Sequence, residues 1–164
     1  SDQGRWVERC DGLMTDVPGV ALLLTFADCV PILLYDIRRH AVTLIHAGWR
    51  GTVAGIALHA VHAMRRAFGS RPGDIVGAIG PSIGPCCYEV GNDTISTVRS
   101  TFANAGHHLH FDLWQANEIH LQQARVGHIE NAHLCTACHS NFFFSHRGEH
   151  GQTGRFGVIA MLTE

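Results

Sequence analysis

Pro31-Ile32-Leu33-Leu34-Tyr35-Asp36-Ile37-Arg38-Arg39-His40-Ala41-Val42-Thr43-Leu44-Ile45-His46 is the stretch that sets the architecture. Two short apolar runs, 31–36 and 41–46, flank a polar turn at 37–40, the pattern of an antiparallel hairpin. With the turn centred between Arg38 and Arg39, paired residue numbers sum to about 77, so His46 faces Pro31. Cys29 lies two positions before Pro31, on the same side of the strand. Diagonal neighbours of this kind sit roughly 7–8 Å apart, within reach of side chains. A thiol and an imidazole therefore meet at the open end of one hairpin, where an ordered strand gives way to a loop and sites are commonly built.

Working outward, Val20-Ala21-Leu22-Leu23-Leu24-Thr25 reads as a buried strand after Pro18-Gly19. On the other side Thr52 opens a helix, with Val53, Ile56, Ala57, Ala60, Val61 and Met64 at helical spacing and Gly69 beyond its end. Residues 75–79 read as a strand. Asn92 or Asp93 caps a helix through Ile95, Val98 and Phe102, and Asp112 caps another through Ala116, Ile119 and Ala124. Phe142-Phe143-Phe144 and residues 157–162 read as the last strands. Hairpins mixed with helices give an α/β (α+β) class rather than a regular βαβ repeat.

At 164 residues the chain fits one domain over 1–164, and 46% hydrophobic with 16% charged residues is a globular composition. A net charge of −2 argues against a nucleic-acid binder that works by neutralising phosphates. No apolar run approaches the roughly 18 residues of a membrane span. The polar start Ser1-Asp2-Gln3-Gly4 resembles no signal peptide, so a cytoplasmic protein with reduced thiols is expected. The missing initiator methionine suggests that a segment upstream has been trimmed. Thirteen histidines and six cysteines bring a soft-metal site into consideration, although His107, His108 and His110 read as solvated.

Around the hairpin, Asp28 is placed to orient an imidazole or to contact substrate. Arg50, between two glycines and just before a helix, is placed to hold an anion. The Cys29–His46 pair fits three readings: two ligands of a transition metal, a nucleophilic cysteine with a histidine base, or a buried free thiol beside a core histidine. Cys86-Cys87 reads as two free thiols, since a disulfide between adjacent residues is strained. Cys135-Thr136-Ala137-Cys138-His139 matches a haem-attachment pattern, but without an export signal it reads as a reduced loop, and no CxxC partner stands at zinc-finger spacing. His146, Arg147, Gln152 and Arg155 offer donors on a glycine-rich turn that could hold phosphate or sugar hydroxyls.

These segments carry a resemblance. Thr25-Phe26-Ala27-Asp28-Cys29-Val30-Pro31, His46-Ala47-Gly48-Trp49-Arg50-Gly51-Thr52, the run from Gly80-Pro81-Ser82-Ile83-Gly84-Pro85-Cys86-Cys87 to Gly91, and Ser145-His146-Arg147 through Thr153-Gly154-Arg155 are similar, in order, to the motifs of the YfiH/YlmD family. This is the laccase-domain or "polyphenol oxidase" family. The resemblance implies mixed β-sheets in a sandwich flanked by helices. It implies a zinc site of one cysteine and two histidines, of which Cys29 and His46 match two; the third, in an upstream Q-V-H-G element, is expected before Ser1. It implies phosphorolysis of adenosine, inosine, guanosine or methylthioadenosine, and deamination of adenosine, with purine nucleosides and phosphate as small-molecule partners.

Within that resemblance, Arg50 is the expected phosphate or ribose contact, His146 and Arg147 further contacts of the same pocket, and Asp28 a proton shuttle or orienter. Copper-dependent phenol oxidation is the alternative enzyme class, although only His108-Leu109-His110 has the His-x-His form of copper clusters. A hydrolase using Cys29 and His46 directly is a third reading, and a non-catalytic partner-binding module a fourth. Oligomeric state and the roles of Cys86, Cys87, Cys135 and Cys138 are not set by the sequence.

Overall fold

A computed structural model describes residues 4, 7, 8, 10–102, 105–107 and 109–164. At its centre β3 (Val30–Asp36) and β4 (Ala41–Ala47) pair antiparallel from Val30↔Ala47 to Asp36↔Ala41, with Pro31 opposite His46 as expected. Alternation enforces that register: Ile32 and Ile45 enter one core, Leu33 and Leu44 the other. A slip by one residue would exchange the two faces. Asp36 closes the turn by accepting from the Arg38 and Arg39 N–H groups at 2.8 and 2.9 Å.

The hairpin anchors a five-stranded sheet. β1 (Gly12–Thr15) flanks β4, β5 (Ile75–Ile79) flanks β3, and β8 (His128–Asn131) lies outside β5, giving the order β1-β4-β3-β5-β8. All pairings are antiparallel except β5–β8, which is parallel. A second sheet of β2 (Leu22–Phe26) and antiparallel β9 (Phe156–Ala160) covers one face through Leu22, Val42, Leu44, Ala160 and Leu162. The opposite face packs against α2 (Ile56–Phe68) and α4 (Leu113–Gln123), burying Ile32, Leu34, Ile45, Val61, Met64 and Leu121. This is the mixed sandwich flanked by helices that the family resemblance implied, and it fits the α/β (α+β) class read from the residues.

Local differences have local causes. The helix expected from Thr52 starts earlier and is broken. α1 spans Trp49–Val53, Gly55 turns the chain at φ 78°, and α2 then runs to Gly69, whose φ of 68° ends it with its N–H on Arg65 O. Glycine tolerates both left-handed positions at little cost. Asp112 does cap α4, accepting from Gln115 N–H at 2.9 Å. α3 (Asn92–Thr101) is preceded by Gly91 and has no side-chain cap. Phe142-Phe143-Phe144 is not a strand: the segment turns, and Phe142 is 76% exposed. β1, β8 and the pair β6 (Gly106–His107) and β7 (His110–Phe111) are two to four residues long, without an apolar run to reveal them. No helix among the described residues is long and apolar enough to cross a membrane.

Candidate active site

Beyond the Val30–Ala47 pair the two central strands separate at Cys29 and Gly48. A Cβ on Gly48 would stand 3.2 Å from the Cys29 sulfur and 4.0 Å from His46 Cε1, so glycine is what leaves the space between thiol and imidazole open. Asp11, the residue before β1, holds the histidine twice. Its carbonyl accepts the His46 N–H at 2.7 Å, and its Oδ1 lies 3.3 Å from Nδ1. With Nδ1 donating to a carboxylate, Nε2 is left as the lone-pair nitrogen. Burial raises the Cys29 pKa, as do the charges of Asp28 and Asp11, while Arg155 opposes them. At neutral pH Cys29 is therefore a thiol, and a thiolate there needs a cation beside it.

These groups line a cleft of about 280 Å³ together with Asp28, Trp49, Arg50, Ile83, Tyr88 and Leu113. Arg50 is the second residue of α1 rather than a loop residue ahead of it, and its guanidinium stacks 4.4 Å over the Trp49 ring. Asp28 is buried, with a left-handed φ of 83°. Its carboxylate accepts from Thr136 Oγ1 and from the Arg147 N–H, both at 2.7 Å, and its carbonyl accepts from the Ile83 N–H at 3.0 Å. It thus ties three distant segments to the hairpin, while Asp11 is the carboxylate on the imidazole.

His146 is exposed and not among the lining residues, and neither is Arg147. The Arg147 guanidinium donates to Glu89 O at 2.8 Å and Cys87 O at 3.3 Å and lies 5.4 Å over the Tyr88 ring, so it braces the cleft wall from behind. Burial pushes the Tyr88 hydroxyl up to about 12. The structure brings Asp28, Cys29, His46 and Arg50 together; sequence reasoning missed Asp11, which sits ahead of a four-residue edge strand and carries no motif.

The Cys29 thiol and His46 Nε2 are two donors suited to zinc or copper, but two donors do not close a site. His40 does not complete it: it lies at the far end of the hairpin, with Tyr35 Oη and Thr163 O each 3.0 Å from its ring nitrogens. Among the described residues, the one group of three or more potential ligands close enough to share an ion lies elsewhere: Cys86, Cys87, Cys135 and Cys138, whose sulfurs are all within 4.8 Å of one another. All four are free thiols, as expected for the vicinal pair. The CxxC loop is reduced and has no second CxxC beside it, as expected; the vicinal pair Cys86-Cys87 is its neighbour. His110, expected to be solvated, is half-buried with Nδ1 2.6 Å from Pro85 O, supporting the turn that carries that pair.

Comparison with known proteins identifies the family of the chain. The family model described as "Multi-copper polyphenol oxidoreductase laccase" matches residues 1–163. Over 161 residues the chain is 43% identical to a protein of Geobacillus stearothermophilus named "Purine nucleoside phosphorylase YlmD", covering 91% of this chain and 58% of that one. It is 36% identical over 157 residues to "Adenosine deaminase RL5" from an unknown prokaryotic organism, covering 89% of this chain and 60% of that one. The crystal structure of the Bacillus licheniformis hypothetical protein YfiH superposes with a TM-score of 0.89 at 41% identity, covering 93% of this chain and 61% of that one. The chain therefore spans about three fifths of the length of these relatives. On sequence and fold alike, it belongs to the laccase-domain family of YfiH and YlmD.

Proposed function

We propose that this chain carries the catalytic cleft of a zinc-dependent purine nucleoside phosphorylase that also deaminates adenosine. The observation that carries the proposal is the cleft at the open end of the β3–β4 hairpin, where Cys29, the Asp11-held His46 and Arg50 converge. At about 280 Å³ it is close to the lower end, ~300 Å³, of small-molecule sites. Trp49, Tyr88, Ile83 and Leu113 offer aromatic and apolar walls for a purine, and Arg50 offers a fixed positive charge for phosphate. The names of the relatives supply the substrate class.

In phosphorolysis a phosphate oxygen bonds to the ribose anomeric carbon while the bond to the purine nitrogen breaks, and that nitrogen keeps the electron pair and takes up a proton. Arg50 holds the phosphate, and the aromatic walls hold the base. Both Asp28 oxygens are engaged by Thr136 and Arg147, which favours a positioning role for Asp28 over proton shuttling. Arg147 acts on the pocket through Tyr88, and His146 is the more peripheral candidate. Cys29 and His46 would hold the zinc through Sγ and Nε2. Zinc, when bound, supplies a Lewis acid that activates water for deamination.

Copper-dependent phenol oxidation has less support, because the one group of three or more potential ligands close enough to share an ion among the described residues is made of cysteines and contains no histidine. A Cys29 nucleophile is disfavoured by its raised pKa.

The test is turnover of adenosine with and without phosphate, with and without a chelator. It is run on this chain alone and joined to the N-terminal segment of the Geobacillus stearothermophilus relative. Adenine and ribose 1-phosphate formed only with phosphate, inosine formed without it, and loss of both on chelation are expected. No turnover by either protein overturns the proposal.

A further inference from the structure

The four-cysteine cluster lies outside the ligand set of the cleft and takes no part in the function proposed above. It is built by the parallel pairing of β5 and β8. That pairing continues past both strands at the Ser82–Cys135 bridge, where the Ser82 N–H meets Leu134 O and the Thr136 N–H meets Ser82 O, each at 3.1 Å. Both chains then turn at once. In the first turn the Cys87 and Tyr88 N–H groups fold back on Gly84 O, both at 3.0 Å, presenting Cys86 and Cys87. In the second the His139 N–H folds back on Cys135 O at 3.1 Å, presenting Cys135 and Cys138. Parallel neighbours leave a sheet at the same end, so two turns deliver four thiols to one point.

We infer that Cys86, Cys87, Cys135 and Cys138 form a structural zinc site. The spacing fits: zinc–sulfur bonds of about 2.3 Å in a tetrahedron put the sulfurs roughly 3.8 Å apart. Here Cys138 Sγ lies 3.7 Å from Cys86 Sγ and 3.4 Å from Cys87 Sγ, and no pair exceeds 4.8 Å. The chemistry fits as well, because four sulfur donors and no carboxylate select zinc or iron over harder ions. The position is prepared from outside the cluster. The Gly84 N–H points at Cys135 Sγ at 3.3 Å, and Gly84 lies so close to Trp114 that a Cβ would come within 2.6 Å of its ring. Trp114 is itself fixed by its Nε1–H on Ser82 Oγ at 2.6 Å. Cys135 is buried while Cys86 and Cys138 are exposed, which gives an ion a way in. Once closed, the site fixes the chain at Cys87, next to the Tyr88 that walls the cleft.

The test uses the chain with Cys29→Ala and His46→Ala, which removes the cleft's ligands and separates this inference from the proposed function. Purified with reductant and zinc, it is expected to hold one zinc per chain, and its cobalt form to show the intense charge-transfer absorption of four thiolates. Adding Cys87→Ser and Cys138→Ser is expected to abolish both. Because those variants also alter folding, the unmodified chain is alkylated in parallel with and without zinc. Zinc is expected to slow labelling of Cys86, Cys87 and Cys138 by roughly tenfold or more, since the thiolate is the reactive form and coordination occupies it. Absence of zinc from the Cys29→Ala, His46→Ala chain, iron in its place, zinc retained after Cys87→Ser and Cys138→Ser, or unchanged labelling would each overturn the inference.

Discussion

The cleft around Cys29 and the cluster around Cys135 both present thiols at the end of the central sheet, and they differ in completeness and charge. In the cleft one thiol and one imidazole face open space, and two carboxylates, Asp11 and Asp28, help burial to raise the Cys29 pKa. In the cluster four sulfurs face one another. Burial there raises Cys87 and takes Cys86 to about 11, whereas the Gly84 and Cys138 N–H groups and the neighbouring thiols outweigh burial at Cys135 and bring it down to about 7. The cleft offers two soft donors beside about 280 Å³ of open space. The cluster is a set of four sulfur donors within 4.8 Å of one another. Catalytic metal sites keep an open position and structural ones do not.

The largest effect that would separate the two falls on the tether between them. Asp28→Ala removes the acceptor for Thr136 and for the Arg147 N–H and leaves alanine at a left-handed φ. Hydrogen bonds to a charged group and the strain together predict a loss of about 3–4 kcal/mol, or roughly 6–16 °C in Tm. Asp28→Asn, which tolerates that backbone and keeps an acceptor, should lose far less. Equal melting of all three proteins would refute Asp28 as a tether.

Arg50→Ala should lower kcat/KM for phosphorolysis by about 100-fold, the worth of one charged hydrogen bond, and leave zinc at the cysteine cluster untouched. Unchanged dependence on phosphate concentration would remove Arg50 from the reaction. Asp11→Ala frees the His46 ring and should weaken metal binding in the cleft by about tenfold, with no change at the cluster. Metal titration of the two variants side by side reads both outcomes.

The smallest effect is one of pH. In the metal-free chain, thiolate absorbance should begin to rise near pH 7 as the cluster loses its first proton, and that step should vanish in Cys135→Ala. The Cys29 contribution should appear at higher pH than that of an ordinary thiol, because burial and the charges of Asp28 and Asp11 raise its pKa. A Cys29 thiolate at neutral pH would instead revive the nucleophile reading.

The same two regions show what could be read from the chain and what could not. The cleft was legible because a hairpin is local: turn length and alternation fix Pro31 opposite His46, and Cys29 follows. Asp11 was not, since it enters through a four-residue edge strand with no periodic signal. The cluster was illegible for a different reason. Its halves are about 50 residues apart and meet only through the parallel β5–β8 pairing, and β8, His-Ile-Glu-Asn, has no apolar run. The three phenylalanines at 142–144 misled in the opposite direction, offering a strand-like composition to a segment that turns.

The measurement that bears most directly on the account is made on one preparation of His46→Ala, joined to the same N-terminal segment used for turnover. Adenosine phosphorolysis and zinc content are determined together. The account predicts that turnover is lost while one zinc per chain remains, held by the four cysteines. Turnover that survives, or loss of all zinc with the histidine, would contradict it.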